Sequence, residues 1–143
     1  MGRVGGRNYG YRDFEGTFCA NVPDGTYDAN CTRTAPSYVF PIYDYPHANG
    51  DACVIGGYVY RGRNIPCLTG TYIFGDYATS IVRAMVVKNG AVSGTVQMVP
   101  GVSYAGKTAA MKGLTSFGED ANGELYMVVA ADAGAAIYRI DSK

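Results

Sequence analysis

Tryptophan is absent from this chain, and histidine occurs once, at His47. A single histidine leaves few options for nucleophilic catalysis, and no Ser-His-Asp or Cys-His arrangement has a supporting motif. There is no P-loop. The "GRVGGR" stretch near the start follows no strand, so it is not a dinucleotide fingerprint. Neither charge is in excess: twelve basic residues balance twelve acidic ones. Nothing in that balance draws the chain to nucleic acid or to an anionic membrane. No apolar run is long enough to span a bilayer. The first seven residues, MGRVGGR, lack the apolar segment of a signal peptide, so the chain either stays inside the cell or begins downstream of a removed leader. None of the four cysteines forms a C-x-x-C pair, which argues against a zinc site.

What is present is glycine and tyrosine, 20 and 13 of them in 143 residues. They point to many turns and amphipathic strands. The length suits one domain, and 48% apolar residues suffice for a core. Cys19, Cys31, Cys53 and Cys67 allow three pairings. Sequence neighbours suggest Cys19 with Cys31 and Cys53 with Cys67, each closing a short loop worth about 2–4 kcal/mol if oxidised. In a reducing compartment they would be buried thiols instead.

Residues 1–36 read as an irregular, cysteine-bearing segment, with a turn signal at Pro23-Asp24-Gly25-Thr26. From residue 37 to the end the text becomes that of strands. Residues 38–45 are aromatic and β-branched, with Pro41 marking an edge or bulge. Further strands are expected over 53–60, 70–77, 80–88 and 94–99, with a tight Asn89-Gly90 turn. A looser segment, 100–113, has room for a short helix over 107–112. Strands over 114–118, 124–130 and 136–140 follow. Short strands at regular spacing make the class all-β, and four-stranded meanders split by glycine turns are the pattern of propeller blades. "GTYIFGDYATSIVRAMVV" and "GELYMVVAADAGAAIYRI" share one layout, which fits the second and third strands of two blades. Tyr72, Tyr126 and Tyr138 read as packing residues of those strands.

Six segments fall in an order that carries a resemblance: "NYGYRDFEG", "YDYPH", "GGYVYRG", "GTYIFGDY", "SFGEDANGELY" and "IYRI". Together they resemble the C-terminal part of the glucose/sorbosone dehydrogenase family, six-bladed β-propellers that oxidise sugars with pyrroloquinoline quinone (PQQ) and calcium. The resemblance implies a partial propeller of about two blades. It also implies that the catalytic histidine and its partner arginine lie on blades this chain does not match, so no catalytic residue is assigned. Family members are mostly periplasmic or secreted. Where glucose-oxidising members carry a quinone-contacting lysine, and many relatives a cysteine, this chain has Ala78, which leaves the partner of Cys53 open. Near two family arginines it offers only Lys112. Without those cations the quinone carboxylates lose charge-assisted partners. The implied cofactors are therefore none, or PQQ and calcium if the family activity is retained.

Candidate ligand contacts are Tyr60, Arg61 and Arg63, at the end of a strand expected near the propeller axis, together with Lys112. Glu119 and Asp120 at an equivalent strand end are a calcium candidate, as is Asn49-Gly50-Asp51. Asp13 and Glu15 form a possible acid/base pair, with a salt bridge to Arg12 or Arg7 as the plainer account. His47 reads as a loop histidine. The strand count gives one full blade and one of three strands. Two blades alone would leave inner faces wet and an edge open. The expectation is a homo-oligomer, two copies giving four blades or three giving six, with residues 38–45 completing the last blade. The assembled ring would bind a small polar ligand such as a carbohydrate.

Overall fold

A computed structural model describes residues 5–21, 26–28, 38–98, 113–131 and 134–141. The chain divides into two compact units, Met1–Tyr45 and Pro46–Lys143. The expected helix over 107–112 and Lys112 lie outside the described residues.

The first unit contains a three-stranded antiparallel meander, β1 (Phe14–Glu15), β2 (Phe18–Asn21) and β3 (Thr26–Asp28). The irregular reading of this segment is thereby corrected. Glu15 pairs with Phe18 across Gly16-Thr17, and Gly16 has a φ of 58°. A glycine with positive φ at the first position of a two-residue hairpin loop suits strand pairing, and that local turn outweighed the polar composition. The expected strand over 38–45 is corrected as well. Only Tyr38 bridges, in parallel with Asn8. Pro41 lacks an amide donor. Asp44 instead caps the Gly16-Thr17 turn, accepting from the Thr17 amide at 3.1 Å and hydroxyl at 2.5 Å. Phe14 meets Tyr38 and Phe40 edge to face, its ring 5.0 Å from each.

The second unit holds two antiparallel sheets. The first runs β4 (Val54–Val59), β5 (Tyr72–Asp76), β6 (Val82–Lys88) and β7 (Ala91–Met98) in order. Asn89 and Gly90 have φ values of 52° and 78°, the two left-handed residues of a type I′ hairpin, and Lys88 faces Ala91 across them. β7 starts earlier than its composition suggests, because it pairs directly from that turn. Left-handed Gly94 sits in the register shift. The second sheet is β8 (Leu114–Glu119), β9 (Leu125–Ala131) and β10 (Gly134–Arg139), in the order β10-β9-β8.

Two glycines let the sheets meet. A Cβ on Gly57 would lie 2.0 Å from the Ile73 carbonyl oxygen and 3.3 Å from Phe117. One on Gly75 would lie 2.3 Å from Leu114. Glycine is therefore required where β8 packs onto β4 and β5. The core forms there, from Ile73, Val82, Leu114, Phe117, Leu125 and Met127. Tyr72, Tyr126 and Tyr138 are half-buried, and Tyr138 packs against this core as the strand reading expects.

Candidate functional site

Two turns of the second unit come together at one end of the sheets. One follows β4 and carries residues 60–65. The other, residues 120–124, joins β8 to β9. Its shape is dictated by Asp120, whose Oδ1 accepts from the amides of Asn122 (2.8 Å) and Glu124 (3.0 Å). The Tyr126 hydroxyl donates to its Oδ2 at 3.2 Å. The Glu124 amide is the main reason the Asp120 carboxyl titrates below its ordinary range.

This turn presents Glu124, which is buried. The Tyr60 hydroxyl donates to Glu124 Oε2 at 2.7 Å. The amides of Arg63 and Asn64 donate to Oε1 at 2.9 and 3.1 Å. The Tyr60 oxygen in turn accepts from the Ile65 amide at 2.9 Å. The Tyr60 hydrogen bond, ahead of the two amides, holds the Glu124 carboxyl below its usual value against the opposing effect of burial. Burial first, and then the bond to Glu124, raise the Tyr60 phenol. Glycines permit the close approach. A Cβ on Gly62 would sit 2.5–2.6 Å from the Glu124 carboxylate, and one on left-handed Gly123 would sit 2.8 Å from the Arg61 backbone.

Sequence and structure now separate the expected site residues. Arg61 and Arg63 are exposed. Arg61 donates to the Val59 carbonyl at 3.1 Å and approaches Glu119 at 3.5 Å, with side-chain exposures of 63% and 25%. Tyr60 is withdrawn from the ligand set, being wholly buried with its hydroxyl bridging Glu124 and Ile65. Glu119 and Asp120, the calcium candidates, both have protein partners. Glu119 faces a guanidinium, and Asp120 already receives three protein donors. Asp51 is likewise committed, to Arg83 at 2.5 Å and the Thr79 hydroxyl at 2.8 Å. Among the described residues no three His, Cys, Asp or Glu side chains group to hold a metal.

At the opposite end of β5, fully buried Asp76 organises a second knot. Its Oδ2 accepts from the amides of Ala52 and Cys53 (3.1 and 2.9 Å), and its Oδ1 from those of Ala78 and Thr79 (2.8 and 3.1 Å). Cys53 and Cys67 are free, exposed thiols, which corrects their expected bridge. They flank opposite ends of β4, and six strand residues span roughly 20 Å, far beyond the reach of a disulfide. Cys31, the expected partner of Cys19, lies outside the described residues. His47 is exposed in a loop. Asp13 accepts from the Tyr38 hydroxyl at 2.5 Å, an interaction that neither the acid/base reading nor the salt-bridge reading anticipates. Sequence reasoning also passed over Glu124. Its signal was a carboxylate directly before Leu125-Tyr126-Met127, at the mouth of a core strand.

No family model matches the chain. It is 28% identical over 154 aligned residues to the HIPL2 protein of Arabidopsis thaliana, covering 94% of this chain and 21% of that protein. It is 29% identical over 141 residues to the HIPL1 protein of the same plant, covering 86% and 20%. The chain thus spans about a fifth of the curated relatives it matches. Among solved structures, one glucose dehydrogenase matches with a TM-score of 0.63 at 12% identity, over 96% of this chain and 36% of that one. Another matches with a TM-score of 0.53 at 13% identity, over 76% and 28%. Together with the antiparallel four- and three-stranded sheets, these matches identify an all-β chain with the partial propeller fold of a glucose dehydrogenase.

Proposed function

We propose that this chain supplies C-terminal blades of a propeller of the PQQ-dependent sugar-dehydrogenase type, without catalysis by itself, and acts as a self-associating module that binds a small polar ligand such as a carbohydrate. The observation that carries this reading is the arm Arg61-Gly62-Arg63, two exposed guanidiniums on a backbone held by a buried carboxylate. A guanidinium fork suits hydroxyl-rich and carboxylate-bearing ligands. Thermal shift of the full chain against D-glucose, D-gluconate and D-glucuronate tests it. A stabilising sugar whose effect disappears in Arg61→Ala and Arg63→Ala supports the reading. No stabilisation across the panel would leave a scaffold without a small ligand.

A second reading, a PQQ- and calcium-dependent aldose dehydrogenase in an assembled propeller, is favoured by the likeness in fold to glucose dehydrogenases. The described residues fit the cofactors poorly. The carboxylates weighed for calcium are bound to protein donors, and Ala78 offers the quinone no cation. Dye reduction by an aldose after addition of PQQ and calcium would establish this reading, and none over a broad sugar panel would dismiss it.

A further inference from the structure

We infer that Glu124 is a positioning residue for the arginine arm: the β8–β9 turn grips the backbone after β4 and thereby sets the direction in which Arg61 and Arg63 are offered. This inference rests on the binding reading above for its ligand, but not for its geometry.

The grip is specific. One carboxylate takes two consecutive amides, Arg63 and Asn64, on one oxygen and the Tyr60 hydroxyl on the other. Tyr60 passes the restraint on to the Ile65 amide. The arm is therefore pinned on the carboxyl side of Arg61 by three amides in a row. On its other side the Tyr60 amide donates to the Thr71 carbonyl at 2.8 Å, and the Tyr60 carbonyl accepts from Gly70 at 2.9 Å. Both guanidinium ends stay exposed, with Arg61 engaged by the Val59 carbonyl at 3.1 Å and by a long contact with Glu119 at 3.5 Å. Charged side chains on a fixed backbone lose less freedom on binding than those on a loose loop, so the grip raises affinity without touching ligand. Glycine at 62 and 123 is a condition of the device, since a side chain at either would drive the turns apart.

The replacement Glu124→Gln separates gripping from mere packing. Glutamine is nearly the same shape but has one acceptor oxygen and one donor amide. Its neutral oxygen accepts more weakly than a carboxylate oxygen, and an NH2 turned to Tyr60 leaves the phenol hydrogen without its acceptor, so no orientation keeps all three bonds at full strength. The full chain, 15N-labelled, is compared as wild type, Glu124→Gln and Tyr60→Phe. Three quantities are read: the amide shifts of Arg63 and Asn64, the 15Nε relaxation of Arg61 and Arg63, and affinity for D-glucuronate beside D-glucose. The expected result is an upfield move of both amides in Glu124→Gln, faster guanidinium motion, and D-glucuronate binding weakened by about tenfold or more. Tyr60→Phe leaves the Glu124 bonds to residues 63 and 64 in place and shows a smaller change. Unmoved amides overturn the grip itself. Moved amides with unchanged guanidinium motion and affinity overturn the positioning role. If wild type binds no sugar, the binding reading fails alone, and the relaxation data still decide the inference.

Discussion

At the scale of single residues, the informative side chains are polar ones in apolar places. Glu124 enters a core strand, and its folded titration lies below the ordinary glutamate value of 4.5. The sign follows directly. The unfolded chain binds the proton more readily, so the stability from this carboxylate is fully present above about pH 4.5 and is lost as pH falls through the folded value. Acid unfolding followed by circular dichroism is expected to show a shallower acid limb in Glu124→Gln than in wild type. An equal slope in both would show that the group carries no linkage. Met127 is an ordinary core residue, fully buried beside Leu125 and Phe117. Met127→Ala is expected to cost about 2–5 kcal/mol in urea melts, the usual range for emptying such a site. The sequence reading named Tyr126 as the packing residue of this strand, whereas Leu125, Met127 and Val129 form its buried face, because ring size marks a strand without telling which of its faces is covered.

At the scale of elements, turn chemistry decides more than strand composition. Asn89-Gly90 fixed a hairpin that was readable by eye, because two left-handed positions admit few residues. Gly90 has a φ of 78° and open space around it. Gly90→Ala is therefore expected to destabilise through backbone strain alone, by about 1 kcal/mol. Gly57 fails differently. Its missing Cβ makes room for the Ile73 carbonyl within the register shift between Ile55 and Tyr58. Gly57→Ala is expected to cost about 1–3 kcal/mol by overpacking and to loosen β8 from β4. Comparing the two melting temperatures checks the order, with Gly57→Ala the lower. The elements misread were those where one contact outweighs composition. β1 to β3 form around the Gly16 turn in a polar stretch, and residues 38–45 stay out of a ladder although their residue types favour strand.

At the scale of the molecule, the described residues form three sheets, and the two of the second unit have four strands and three. β10 is the outer member of the smaller sheet, and Ile137 on it is 69% exposed. Among the described residues no strand pairs with its outer side, and an open edge with apolar side chains invites another strand. The proposal of self-association therefore predicts a native mass, by light scattering on a sizing column, of two or three chains, with four or six blades. A monomer at micromolar concentration would show that the edge is covered otherwise, and would end that part of the proposal.

The sequence by itself determined the class, the strand order of the second unit and the glycine turns, because period-two patterning and left-handed turn residues are local signals. It also placed Arg61 and Arg63 just past the end of a strand. Only the tertiary structure decided what each polar group is for. Tyr60, Asp51 and Asp120 read as candidate ligand or calcium residues, and Asp76 and Glu124 drew no reading, until their partners, in most cases tens of residues away, came within hydrogen-bond distance. A carboxylate has the same letter whether it faces calcium, a guanidinium or a row of amides, and the difference lies in which distant segment the fold brings against it.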